Sequence, residues 1–136
     1  MSWSDMKLAI IGSRTFDDFD KGLEVFSTNF ATRGVTEIVS GGAIGADSIG
    51  KRLAWHLRLN YTPFYPEWEK YGRSAGFKRN ITIITHCDEV LAFWDGISRG
   101  TKNSIDIATQ QGKPVFIHIF TPTVNPTENS WADFGL

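Results

Sequence analysis

The chain has 136 residues, 41% of them hydrophobic and 13% aromatic, with a formal net charge of −1. That length suits one hydrophobic core rather than two, and the composition excludes a disordered chain. A near-neutral protein has no global field to hold a polyanion, so nucleic acid is not the expected partner and a small charged ligand fits better.

The N-terminal segment MSWSDMKLAIIG lacks both a signal-peptide layout and the roughly 20 apolar residues that a membrane span requires. The single cysteine, Cys87, has no partner within the chain, which points to a reducing compartment. The expectation is a cytoplasmic protein with no membrane association. Neither Cys87, between His86 and Asp88, nor the scattered His56, His86 and His118 has the spacing of a metal cage or a triad, so no metal and no cofactor is expected.

Residues 7–11 form a short apolar run closed by Gly12, which reads as a buried strand. Over residues 18–33, Phe19, Leu23, Phe26 and Phe30 recur at spacings of a helix with one buried face, stopped by Gly34. A second strand covers residues 37–40. The segment GGAIGAD follows it and leads into a helix carrying Ala46, Ile49, Leu53 and Leu57. Residues 61–65 read as a third strand, PEWEKYGRSAG as an irregular loop, and Phe77, Ile81 and Ile84 as the apolar positions of a third helix. The run EVLAFW, residues 89–94, is the most strand-like of all. After it come DGISRGT, a helix with Ile105 and Ala108 ending near Gly112, and a fifth strand over residues 115–120.

Five strands alternating with four helical segments imply right-handed crossovers and a single doubly wound Rossmann-like α/β domain, its five-stranded parallel sheet covered by helices on both faces. The expected order is 3-2-1-4-5. The pocket of such a sheet lies at the carboxyl ends of the strands where the order reverses, between strands one and four. The domain covers residues 1–120. The remaining residues 121–136, rich in Pro, Thr and Asn and without a period, are expected to be a C-terminal extension packing on the surface or on an oligomer partner, anchored by Trp131 and Phe134.

Three loops fall on that edge. In Gly12-Ser13-Arg14-Thr15-Phe16 the glycine permits a tight turn and the next three side chains can donate to an anion, although Ser13 and Thr15 would also serve as helix caps. In Ser40-Gly41-Gly42-Ala43-Ile44-Gly45-Ala46-Asp47 three glycines allow close approach of a phosphate to a helix N-terminus; the alternative is close packing of that helix on the sheet. Its GGxxG spacing is not the GxGxxG fingerprint, and no Walker lysine follows. Asp47 either stabilises the helix start or orients a ribose hydroxyl. In Asp95-Gly96-Ile97-Ser98-Arg99-Gly100-Thr101, Ser98, Gly100 and Thr101 are the candidate donors, and Arg99 is either a ligand contact or a solvated charge. Trp68 and Tyr71 combine stacking surface with the basic Lys78 and Arg79, and Arg79 beside Asn80 in an apolar helix reads as a pocket pair.

Taken in order, GSRTF, SGGAIGAD, PEWEKYGRSAGFKRN and LAFWDGISRGT resemble the YspA-like branch of the SLOG superfamily, the Rossmann-like group that includes the LOG phosphoribohydrolases and the DprA core. The resemblance covers roughly residues 7–118 and makes residues 1–120 a SLOG-like nucleotide-binding domain. It implies a nucleotide-like ligand held by Gly12, Ser13, Arg14, Gly41, Gly42, Gly45, Asp47, Trp68, Arg79, Asn80, Ser98, Gly100 and Thr101, and Ala43 and Asp95, from the same loops, complete the candidate nucleotide-binding set. It does not imply catalysis. LOG enzymes pair an arginine, matched by Arg79, with a glutamate after a GGxGT loop, whereas here Asn103 and Ser104 stand at those positions and cannot stabilise an oxocarbenium ion as a carboxylate does.

The catalytic residues are therefore unassigned. The leading expectation is a module that binds or senses a nucleoside phosphate, ADP-ribose or cyclic nucleotide. The first alternative is an N-glycosidic hydrolase or transferase of LOG or deoxyribosyltransferase type, with Asp47, Asp95 or Asp106 as displaced acid. The second is a DprA-like single-strand binder using Arg73, Lys78, Arg79, Arg99 and Lys102. A homo-oligomer is compatible with all three.

Overall fold

The computed structural model describes residues 5–42 and 45–122. Five strands, β1 (Met6–Gly12), β2 (Val35–Ser40), β3 (Asn60–Pro63), β4 (Glu89–Trp94) and β5 (Val115–Ile119), form one sheet in the order β3-β2-β1-β4-β5. All four pairings are parallel, with Ala9 opposite Val39 on one side of β1 and opposite Val90 on the other. The expected architecture and strand order are therefore present. Their origin lies in residues 8–11 and 90–93, which are buried throughout and read as continuous apolar runs because both sheet faces are covered.

Helices α1 (Phe19–Phe30) and α2 (Ala46–Leu57) cover one face, where Val25, Phe26, Phe30, Ile49 and Leu53 meet Leu8, Ile10, Ile38, Leu91 and Phe93. The short α3 (Trp68–Tyr71) and a 3-10 turn, Gly72–Ser74, precede α4 (Ala75–Thr85), and α5 (Arg99–Gln110) follows β4. On this second face Ile83, Ile84, Ile107 and Ala108 pack with Ala9, Ile11, Val39, Val90 and Ala92. The alternation along β1 thus sends Leu8 and Ile10 to one layer and Ala9 and Ile11 to the other.

Local signals set the ends. The Asp18 carboxylate accepts from Lys21 N at 3.0 Å and starts α1 one residue later than the periodicity suggested. Gly34, at φ 73°, turns the chain into β2. At the exit of α4 the Lys113 ammonium donates to the carbonyls of Ile84 (2.7 Å), Thr85 (3.1 Å) and Cys87 (2.7 Å), and so gathers the end of the helix and the turn after it.

Two expectations are corrected. Residues 68–74 are not an irregular loop but two short helical turns. The buried face of α4 is Ala75, Gly76, Arg79, Asn80, Ile83 and Ile84, while Phe77 and Ile81 are 45% and 37% exposed. The buried positions follow the helical period well, so the helix is amphipathic by position, but at its first turns the inward residues are polar. No described helix is long and apolar enough to cross a membrane.

Candidate functional site

The carboxyl edge of β1 and β4 is closed by a ring of polar groups. A Cβ on Gly12 would stand 2.2 Å from the Phe93 carbonyl oxygen and 2.8 Å from Ala46 Cβ, so only glycine lets β1, β4 and the start of α2 meet there. Ser13 N then donates to Phe93 O (2.9 Å), and Ser13 O accepts from Phe16 N (3.1 Å) and Ala46 N (3.2 Å). Asp95 N donates to Ser13 Oγ (3.2 Å), the Ser13 and Ser98 hydroxyl oxygens are hydrogen-bonded at 2.9 Å, and Ser98 Oγ donates to Asp95 Oδ2 (2.8 Å). Asp95 Oδ1 accepts from Ile97 N (2.9 Å) and Ser98 N (2.7 Å), while Trp94 Nε1 holds Ser98 O at 3.0 Å.

Burial by itself would raise the Asp95 carboxyl, but the Ser98 and Ile97 amides and the Ser98 and Ser13 hydroxyls outweigh it, and the group is held below the usual carboxylate range. Ser13 and Ser98, read from sequence as donors to an anion, instead direct their hydroxyls to each other and to Asp95. Their contribution is to clamp two loops together.

The glycine loop lies next to this ring. A Cβ on Gly45, which has φ 78°, would come within 2.4 Å of the Arg14 carbonyl oxygen, so the loop is seated directly on the backbone of the first loop. Gly41 is enclosed by charge: a Cβ there would be 2.5 Å from Arg79 Nη1 and 2.7 Å from Asp47 Oδ2. Arg79, 6% exposed, donates from Nη1 to Gly41 O (2.6 Å) and from Nε to Asn80 Oδ1 (3.0 Å). Burial pulls its guanidinium below the ordinary value, and the Asp47 carboxylate, itself 8% exposed, pushes back. Arg79 is thus built into the floor of the loop. The Tyr65 ring stacks against Gly42, where a Cβ would be 2.2 Å from Cε1. Below the loop the Ser40 hydroxyl and the Tyr61 phenol are 2.6 Å apart. Ala43, also expected in the site, lies outside the described residues.

The start of α5 completes the edge. Gly100 and Thr101 are buried, and no side chain caps the helix, because the hydroxyl of the N-cap residue Ser98 is engaged with Asp95 and Ser13. A buried helix start without a side-chain cap leaves backbone N–H groups for another partner. Arg99 is exposed, and Trp68 is half-buried on α3. Tyr71 is flanked by the ammonium groups of Lys70 (5.1 Å) and Lys78 (4.8 Å). The structure therefore brings Gly12, Ser13, Arg14, Gly45, Asp95 and Ser98 into direct contact and joins Gly41, Asp47, Arg79 and Asn80 into a second group.

No family model matches the chain. The Gene 61 protein of Mycobacterium phage D29 is 42% identical over 84 residues, an aligned stretch covering 57% of this chain and 67% of the relative. The chain belongs to the family of that Gene 61 protein. The Gene 61 name states no activity, so the chemistry of this member rests on its own side chains.

Two polar atoms of this Gene 61 relative stand apart, one of them on Thr15, which the sequence offers as an anion donor or a helix cap. Thr15 Oγ1 and Asn103 Nδ2 are buried with no hydrogen-bond partner. Thr15 lines a cleft of about 330 Å³ at the start of α1, with Lys21, His118 and Phe120 among its other walls. Asn103 lies in the second turn of α5. No spacing rule shows that either atom is left without a partner, since that is visible only once its surroundings are placed. Of the displaced acids considered, Asp95 is engaged on both oxygens, and Asp106 is exposed and paired with Lys102 at 3.0 Å. Among the described residues no group of three or more His, Cys, Asp or Glu could hold a metal ion.

Proposed function

We propose that this chain binds a nucleotide or nucleotide-derived ligand across the carboxyl edge of β1 and β4, in the manner of the SLOG proteins its loops resemble, and that it does so in the cytoplasm. The single observation that carries the reading is the convergence of the first loop, the glycine loop and the uncapped, buried start of α5 on the edge where strand order reverses. Helix starts with free N–H groups favour an anion, and the buried Arg79 braces the glycine loop from beneath through the Gly41 carbonyl.

Binding is favoured over cleavage by the state of the acids. A glycosidic reaction needs a carboxylate facing the sugar carbon. Asp95 is held in the ring, Asp106 faces solvent, and Asp47 is buried beside Arg79. The single-strand alternative is weakened because Arg79 is withdrawn from the surface and Lys102 is paired with Asp106.

Calorimetry with nucleoside mono- and diphosphates, ADP-ribose and cyclic nucleotides tests the reading. At least one is expected to bind, and Arg79→Lys, which keeps a buried cation but not the fork that reaches Gly41 and Asn80, is expected to weaken it about tenfold or more. Failure of the whole panel to bind wild type at millimolar concentration would sink the proposal.

A further inference from the structure

We propose that the outer face of α1 and α2 is a contact surface for a second copy of this chain, joined across a two-fold axis that lays the acidic row of one α1 on the basic row of the other α2. The proposal does not depend on the nucleotide reading. Trp55, in the last turn of α2, is 76% exposed. It borders an open cleft of about 620 Å³ whose other walls are Phe19 of α1 and Lys51, Arg52 and His56 of α2. An indole offers a large apolar surface, and tryptophan and arginine are the residues in which binding energy is most often concentrated at interfaces.

The helical period decides which side chains reach this face. On α2 the inward positions are Ile49, Gly50, Leu53 and Ala54, which leaves Lys51, Arg52, Trp55 and His56 exposed. On α1 the inward positions are Gly22, Val25, Phe26 and Phe30, which leaves Asp20 and Glu24 exposed one turn apart, with the exposed Asp17 just before the helix. Phe19 stands between the two rows. The Arg52 guanidinium lies over its ring at 4.3 Å, and the His56 ring meets it edge-on at 5.7 Å. Among the described residues neither Lys51 nor Arg52 has a carboxylate within ion-pair distance, and Glu24 is paired with Lys21 of its own helix. Acidic and basic rows therefore run side by side without neutralising each other.

That pattern selects the occupant. A polyanion drawn to Lys51 and Arg52 would meet Asp17, Asp20 and Glu24 on the same face, and a polycation would meet the reverse. The partner must carry both signs next to each other at the same spacing. A second copy turned about a two-fold axis through the Phe19 boundary does so by symmetry, because each acidic row then lies against the basic row of the other copy. Exposed ion pairs contribute little to strength, so the charges set the register of the contact and enclosure of Trp55 sets its affinity.

Sedimentation velocity over about 1 to 200 µM protein tests the surface. Wild type is expected to dimerise within this range at about 50 mM salt and to bind about tenfold more weakly at about 500 mM. Trp55→Ala is expected to weaken the dimer about tenfold or more. Lys51→Glu with Arg52→Glu, and separately Asp17→Lys with Asp20→Lys, are each expected to be monomeric, because like charges then meet in both halves of the contact. An equal mixture of these two charge variants is expected to form a heterodimer, in which each half again joins opposite signs.

A wild type that stays monomeric over the whole range, a dimer whose strength is unchanged by salt or by Trp55→Ala, or a mixture of the charge variants that stays monomeric each overturns the proposal. The mixture decides the matter if Trp55→Ala does not fold, since the charge substitutions lie at exposed positions.

Discussion

Two polar clusters stand at the same sheet edge and are held by different physics. At the ends of β1 and β4, Ser13, Asp95 and Ser98 form a ring in which both carboxylate oxygens and both hydroxyls have short partners, and the one negative charge is stabilised by backbone dipoles. Beside β2, Gly41, Asp47, Arg79 and Asn80 place two opposite charges in the interior around a residue that has no side chain. The ring involves a single, partly exposed charge at low desolvation cost, so it serves as a clamp. The buried pair carries a larger desolvation cost, which geometry must offset, and its removal by halves is correspondingly severe.

The sharpest way to break this contrast is Arg79→Met. It leaves Asp47 buried without its opposite charge, and about 3–5 kcal/mol of stability should be lost in urea unfolding. Removing both charges together, as Arg79→Met with Asp47→Leu, should recover much of that loss. A next smaller effect is expected from Gly41→Ala, whose added methyl enters the 2.5 Å gap to Arg79 and should cost about 1–3 kcal/mol.

On the other side of the comparison, Ser98→Ala removes one donor to Asp95 and one of the two partners of the Ser13 hydroxyl. Its expected cost is about 1–2 kcal/mol, since Asp95 keeps two backbone amides. The smallest effect is a pH dependence. Because the folded-state pKa of Asp95 is depressed, its contribution is complete above the unfolded value of about 4 and is lost as pH falls through the folded one. Wild type should therefore lose stability below about pH 4 more steeply than Asp95→Asn, in melts from pH 7 to 2.5. Equal slopes would show that the ring does not hold the carboxylate ionised.

The fold was legible because residues 8–11 of β1 and 90–93 of β4 are continuous apolar runs and the first four strands are each followed by a helical period, which leaves few topologies. The site was legible only as a set of loops. Ser13 and Ser98 were named, but their bond joins positions 85 apart in the chain, and no local pattern encodes such a contact. The glycines admit two readings in sequence, close approach of a phosphate or close packing of the helix, and in the structure Gly41 lies against Arg79 and Asp47 and Gly45 against the Arg14 backbone. Hydropathy misled at α4: Phe77 and Ile81 were taken as the inward positions, yet the polar cluster at the strand ends draws Arg79 and Asn80 inward at that height. Asn103 is notable in the sequence for what it replaces, and its enclosed amide nitrogen is visible only in the structure.

The Lys113 ammonium, with three carbonyls of the α4–β4 connection gathered on it, joins two crossovers that are otherwise separate in the chain. Local opening of the turn after α4 must release that ammonium, and fraying of the segment before β5 must expose those carbonyls. The two connections therefore open as one cooperative unit, and amide protons around Cys87 and Val115 should exchange with a common opening free energy. The second face of the sheet is in this sense fastened at the end remote from the loops.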